Sequence, residues 1–105
     1  MALLIPPDSE PQRVVNPAHG LAFTGPELQT LIGQHVEALQ VPTTLFALDG
    51  NKHPTPLWML VNEEGRYLRL PVNPFATALL RGRLTPADDA ILGTALLCSP
   101  AEAGK

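Results

Sequence analysis

The sequence contains a single cysteine, Cys98, and therefore cannot close an internal disulfide bond. Because small secreted domains usually depend on disulfides, we expect this chain to belong to the reducing cytoplasm. Long hydrophobic runs are also missing: the longest, residues 90–98, is interrupted by Gly93 and Thr94 and falls far short of the roughly 20 residues of a membrane helix. No basic segment precedes the first apolar residues, so the sequence predicts neither a membrane span nor a signal peptide.

Charge is scarce as well. Charged residues make up 16% of the chain, below the norm of about 25%, whereas hydrophobic residues make up 45%. That balance excludes disorder caused by low hydrophobicity and high charge. The net charge of −3 and the pI near 5.4 differ from the pI above about 9 that is typical of a nucleic-acid-binding domain. Nucleic-acid binding is therefore not favoured, although a local basic patch leaves it open.

Motifs for metal, cofactor or nucleophilic chemistry are absent from the sequence. The three histidines, His19, His35 and His53, stand 16 and 18 residues apart, unlike the closely spaced ligands of a zinc site. No glycine-rich phosphate-binding pattern is present. Cys98 lies in an apolar run, where we expect a buried and inert thiol. The sequence thus predicts no metal, no cofactor and no catalytic residue; it favours a non-enzymatic protein and leaves an enzyme open.

Proline and glycine are abundant, with 12 and 8 residues, and they divide the chain into short elements. Thr24 is the predicted N-cap of a first helix, because a glutamate follows three residues later, and Gly33 ends that helix. Asn73, followed by a proline, is the predicted N-cap of a second helix, which runs to Arg81 and ends at Gly82. Both helices are therefore expected to be short.

Apolar runs between these breaks predict short β-strands. The predicted strands cover residues 2–5, 12–15, 34–41 and 44–48, and a β-hairpin joins 57–61 to 66–70. Residues 86–98 are compatible with either a helix or a buried strand. The predicted fold is one α+β domain, residues 1–99, with a frayed tail, residues 100–105. Its sheet is mixed or mainly antiparallel, with about five to seven short strands and two short helices on one face.

Several segments match the pattern of a known family. They are the leucine-rich helix ending at Gly33, the strand that contains Glu37, and the sequences Asn-Glu-Glu-Gly at 62–65, Leu-Pro-Val-Asn at 70–73 and Ile-Leu-Gly-Thr at 91–94. From residue 2 to residue 98 the chain resembles domain-of-unknown-function family 3846, whose members are small bacterial, phage and plasmid proteins. It departs from the family at Gln34, where a second glycine is common. The resemblance implies an α+β fold with the final segment as a strand, and a setting on a mobile element; it implies no activity and no functional residues.

Positive charge is concentrated in one stretch. Four of the seven basic residues fall within the 18 positions 66–83, which contain no acidic residue, while the rest of the chain has a net charge of −7. The predicted helix start at Asn73 adds free backbone amides, which favour an anion. Tyr67 or Phe75 is available to stack on a base. The predicted ligand-binding residues are Arg66, Arg69, Asn73, Arg81, Arg83, Tyr67, Asn62 and Glu63. In the alternative interpretation these arginines are solvated or pair with nearby carboxylates, namely Glu63, Glu64, Asp88 and Asp89.

These observations lead to a hypothesis of a small binding or interaction protein, from a phage, plasmid or accessory locus, that binds a partner protein or an anionic ligand such as a nucleotide. One alternative is a small hydrolase or transferase that uses Glu63 or Glu64, with Asn62 and Asn73 as polar supports. Adjacent glutamates in a turn, however, are more typical of a solvated polar loop. A second alternative is a self-assembling structural protein, since exposed sheet edges invite strand addition. A monomer and a homodimer are both compatible with the sequence.

Overall fold

Five antiparallel strands form one sheet in the computed structural model, which describes residues 2–7, 12–41, 57–80 and 90–104. The strands lie in the order β2-β1-β5-β4-β3, so the last strand of the chain occupies the middle of the sheet. The elements are β1 (Ala2–Ile5), β2 (Arg13–Val15), α1 (Gly25–Leu31), β3 (Val36–Val41), β4 (Leu57–Asn62), α2 (Pro74–Leu79) and β5 (Ala95–Cys98). The predicted α+β class with a mainly antiparallel sheet is confirmed, and the final segment contains a strand.

The two central strands, β4 and β5, supply much of the hydrophobic core. Leu60 lies opposite Leu96 and Met59 lies opposite Leu97, and all four side chains are buried. Successive residues of a strand point to opposite faces of the sheet, so both faces of these strands carry apolar side chains. A short, uninterrupted apolar run is the pattern of a strand that is covered on both sides.

The two helices lie on opposite faces of the sheet. Ala76 of α2 packs in one buried cluster with Met59 and Leu97, whereas α1 packs through Leu28 against a second cluster that contains Leu60 and Leu96. The prediction that both helices cover one face is therefore wrong. Because β4 and β5 are apolar on both faces, each face requires its own cover.

Helix α1 begins and ends as its sequence predicts. The Thr24 hydroxyl accepts a hydrogen bond from the Glu27 amide at 3.3 Å, and the Glu27 carboxylate accepts one from the Thr24 amide at 2.9 Å. This capping box satisfies amides that have no partner within the helix. At the other end Gly33 has a φ of +148° and donates its amide to the Leu28 carbonyl at 3.2 Å. A Cβ at Gly33 would overlap the Asn62 side-chain amide, so a larger residue does not fit there.

Helix α2 begins at the predicted N-cap, Asn73, and its C-cap is Leu80. The predicted end of this helix, with Arg81, Arg83 and the cap at Gly82, lies outside the described residues. The predicted strand at residues 44–48 also lies outside them. The predicted pairing of the first two strands is confirmed, since β1 and β2 pair antiparallel with Leu3 opposite Val14.

The predicted hairpin after β4 is wrong in its second half. Residues 63–69 form a series of tight turns in which Leu68 donates its amide to the Glu64 carbonyl and Leu70 donates to Gly65, both at 2.9 Å. Strand β4 pairs instead with β3 on one side and β5 on the other. Both of its edges are thus occupied, and no edge remains for residues 66–70.

The segment after β5 packs against the domain. Glu102 is buried, its carboxylate accepts the Ser99 amide at 3.0 Å, and its carbonyl accepts the Phe23 amide at 2.9 Å. This packing differs from the frayed tail that the sequence predicts for residues 100–105. None of the helices in the described part of the chain is long and apolar enough to cross a membrane.

Candidate functional site

A groove of about 150 Å³ lies beside the end of β4. Its lining residues come from β3, from β4 and the turn after it, and from the segment that leads into β5. They are Glu37, Leu39, Val61, Asn62, Glu63, Gly65, Arg66, Ala90, Ile91 and Leu92. The groove thus brings together three of the eight residues predicted from the sequence: Asn62, Glu63 and Arg66.

The pairing of β3 with β4 places two carboxylates in the groove. Glu37 lies opposite Val61, and the Glu63 amide donates to the His35 carbonyl at 2.9 Å, which continues the same register by two residues. Glu37 and Glu63 are therefore diagonal neighbours on one face of the sheet, a relation that separates Cα atoms by about 7 Å. Sequence reasoning missed Glu37 as a site residue because its position follows from the strand register.

The turn after β4 approaches the opposite wall closely, and Gly65 permits this approach. A Cβ at Gly65 would lie 3.0 Å from the Leu92 Cβ, tighter than an ordinary carbon contact. The Gly65 amide donates to the Asn62 carbonyl at 3.3 Å. The turn therefore lies close to residues 90–92, and the exposed Arg66, which follows Gly65, lines the groove.

Asn62 shapes the groove through its hydrogen bonds to the backbone. Its Oδ1 accepts the Glu64 amide at 2.8 Å, and its Nδ2 donates to the Ile32 carbonyl at 3.3 Å. The first bond is an Asx-type turn, which fixes the direction of the chain as it leaves the strand. The second ties that turn to the C-cap of α1. Asn62 thus positions its neighbours through both ends of its side-chain amide.

The adjacent glutamates diverge. Glu63 lines the groove with Glu37, whereas Glu64 is absent from the lining and places its Oε1 3.7 Å from His35 Nε2. Both members of this pair are partly exposed, and such surface pairs contribute little to stability. Of the residues in the hydrolase hypothesis, Asn62 and Glu63 line the groove, whereas Glu64 and Asn73 are absent from the lining.

Asn73 is enclosed, with 0% of its surface exposed. Its Nδ2 donates to the Ile5 and Gly93 carbonyls, both at 2.9 Å, and its Oδ1 accepts the Ala76 amide at 3.1 Å. The predicted anion-binding helix start is thus occupied by its own cap. Asn73 connects α2 to β1 and to the segment before β5, and it does not reach the surface.

Two further predicted residues, Tyr67 and Arg69, lie on the exposed surface of the turn and do not line the groove. Arg69 has a φ of +54°, an uncommon left-handed conformation for a side chain of its size. Arg81 and Arg83 lie outside the described residues. The predicted ligand-binding residues that the structure describes therefore lie in three places: the groove, the surface of the turn and the interior.

Exposed apolar side chains are concentrated beside this turn. Among the described residues, four of the six exposed large hydrophobic residues fall between positions 67 and 75, and we call this surface the 67–75 strip. Its members are Tyr67, 83% exposed, Leu68, 50%, Val72, 53%, and Phe75, 48%. Hydrogen bonds fix its backbone on both sides, because Leu70 donates to Gly65 and Asn73 donates to the Ile91 carbonyl at 2.7 Å.

Cys98 is buried, as predicted. Burial raises the pKa of its thiol to about 12, and the Glu102 carboxylate acts in the same direction. Little reactive thiolate therefore forms at neutral pH. Within the described ranges, no group of three or more histidine, cysteine, aspartate or glutamate side chains is arranged to hold a metal ion.

The fold and the groove define a small α+β domain whose antiparallel sheet carries a charged groove near one edge. Searches of protein-family models, curated proteins and solved structures find no match. The resemblance to family 3846 accordingly stays a prediction from the sequence.

Proposed function

We propose that this protein is a non-enzymatic interaction protein that binds a partner protein through the 67–75 strip. The observation that carries this proposal is the exposure of Tyr67, Leu68, Val72 and Phe75 within nine residues. Scattered exposed hydrophobic residues are normal, whereas a contiguous apolar patch is typical of interaction surfaces, and the proposal is that these four residues form such a patch. Tyrosine and phenylalanine are also enriched at protein interfaces, where rigid rings contribute large contact areas.

The charge of the strip defines the partner that suits it. Arg69 lies between members of the strip in the sequence, and the described residues from 66 to 80 include no acidic side chain. A partner with acidic residues around an apolar centre would complement this surface, and such complementarity chiefly raises specificity and the rate of association. The mobile-element setting is part of the proposal only through the resemblance to family 3846.

A nucleotide ligand receives less support than a partner protein. The start of α2 is capped by Asn73, and the groove contains two glutamates beside Arg66. The groove volume of about 150 Å³ is also below the roughly 300 Å³ at which pockets for drug-sized ligands begin. The hydrolase alternative has less support, because the side-chain amides of Asn62 and Asn73 form hydrogen bonds with the backbone.

Site-specific photo-crosslinking in the source cells tests the proposal. Tyr67→benzoylphenylalanine places the reactive group on the strip, and Leu21→benzoylphenylalanine is a matched control, because Leu21 is exposed to a similar degree, 79%. We expect a crosslinked partner from position 67 only, and we expect its loss when Phe75→Ser is added. Identical products from both positions, or none from position 67, would contradict the proposal. Crosslinks between copies of the chain would instead favour the self-assembling alternative.

A further inference from the structure

We propose that the groove beside β4 is a second binding site, which holds a zwitterion of amino-acid size with its ammonium group between Glu37 and Glu63 and its carboxylate at Arg66. This site is independent of the 67–75 strip, whose four apolar residues are absent from the groove lining. The proposal rests on the charges, the walls and the size of the groove.

The charges favour a ligand that carries both signs. Glu37 and Glu63 lie on one face of the sheet as diagonal neighbours, and Arg66 lines the same groove from the turn. An anion at Arg66 would lie near two carboxylates, and a simple cation between the glutamates would lie near a guanidinium. A zwitterion instead forms a charge-assisted hydrogen bond at each end. Arg66 need only exchange its present contacts for a ligand carboxylate, which its planar group can bind through two nitrogens.

The walls suit an aliphatic side chain. The apolar lining residues include Leu39, Leu92 and the two buried residues Val61 and Ile91. Small-ligand sites commonly combine apolar walls with a few polar groups that fix orientation. The volume of about 150 Å³ suits a ligand of amino-acid size.

The groove is held in shape without a ligand. Asn62 fixes the start of the turn through two hydrogen bonds, and the Leu70 amide, which donates to the Gly65 carbonyl at 2.9 Å, fixes its far end. A site that is already ordered loses less entropy on binding, so a ligand with few atoms gains measurable affinity.

Titration followed by amide NMR shifts tests the site with three related probes: L-norvaline, N-acetyl-L-norvaline, which lacks the ammonium charge, and L-norvalinamide, which lacks the carboxylate. We expect norvaline to shift the amides of Glu37, Glu63 and Arg66 in a saturable manner. Each derivative should bind about two- to fivefold more weakly, because a charge pair with an exposed side chain contributes up to about 1 kcal/mol.

Variants assign the two ends. Glu37→Gln should weaken norvaline binding, and Arg66→Gln should remove the preference for norvaline over norvalinamide. Glu64→Gln is the control, since it removes one carboxylate from the neighbouring position and leaves the groove lining intact. Equal binding of all three probes, stronger binding of the acetyl derivative, or no shift of the groove amides at any soluble concentration would overturn the proposal. None of these outcomes bears on the partner-binding strip.

Discussion

Two neighbouring regions of this chain contain the same kinds of residue, but one region is buried and the other is largely exposed. The closed region, formed by Asn73 and Gly93 beneath α2, is buried, and its polar groups bond to the backbone. The open region, formed by Asn62 and the turn 63–69, is largely exposed and borders the groove. Each contains an asparagine that ends a strand or starts a helix and a glycine that allows a close approach. Burial, more than residue type, therefore decides whether an asparagine or a glycine stabilises the domain or shapes a surface.

The largest expected effect comes from the two asparagines. Asn73→Ala removes the α2 cap and the hydrogen bonds that its side chain donates to the buried carbonyls of Ile5 and Gly93, so we expect a loss of about 3 kcal/mol in the free energy of unfolding. Asn62→Ala, in the open region, should cost about 1 kcal/mol, because water can replace its bonds. Urea unfolding of both variants measures the difference. Equal losses would show that the two regions are equally closed.

Substitution of Gly93 in the closed region and of Gly65 in the open region should give intermediate losses of stability. Gly93 has a φ of +82°, and a Cβ there would lie 2.7 Å from the Leu70 Cδ1, so we expect Gly93→Ala to cost about 2 kcal/mol. Gly65→Ala meets the Leu92 Cβ at 3.0 Å and should cost about 1 kcal/mol, with a displaced turn. Thermal unfolding measures the loss of stability in both variants. Amide shifts of residues 90–92 report whether the turn is displaced in Gly65→Ala, and unchanged shifts would argue against the close approach of Gly65 to Leu92.

A buried carboxylate provides the smallest effect. Burial would raise the pKa of Glu102, but hydrogen bonds from the Ser99 amide and hydroxyl help to lower it below its ordinary value of 4.5. A carboxylate with a lowered pKa stabilises the fold at pH values above its ordinary pKa. This stabilisation is lost as the pH falls through the pKa of the folded state. Wild type should therefore lose stability in acid relative to Glu102→Gln, which keeps an acceptor for Ser99. Urea unfolding at about pH 7 and about pH 3 measures this, with Glu63→Gln as the exposed control. A constant difference between wild type and Glu102→Gln would contradict the prediction.

Local signals made both helix starts predictable. Thr24 with its glutamate, and Asn73 with its proline, depend only on neighbouring residues, and both caps are found in place. The apolar run of β4 was equally clear. The pairing partners of β4 were not predictable from local sequence. Strands β3 and β5, from distant parts of the chain, occupy both edges of β4, so residues 66–70 cannot pair with it.

The candidate site was predictable only in part for the same reason. Asn62, Glu63 and Arg66 are close in sequence and meet in the groove. Glu37 joins them through the register of β3 with β4, which depends on pairing along the whole strand. Asn73 was placed in the site because the free amides of a helix start favour an anion, and its burial follows from hydrogen bonds to β1 and to the segment before β5.

The central position of β5 has a consequence for how the domain is made. Among the described strands, only the β1–β2 pair and the β3–β4 pair can form before residues 95–98 are available, and an isolated two-stranded pair is marginally stable at best. Pairing of Leu3 with Leu97 then joins segments from near both ends of the chain, a non-local step that slows folding. The five-stranded sheet therefore cannot form before β5 has been synthesised. We expect a chain that lacks residues 95–98 to expose open strand edges, which favour aggregation.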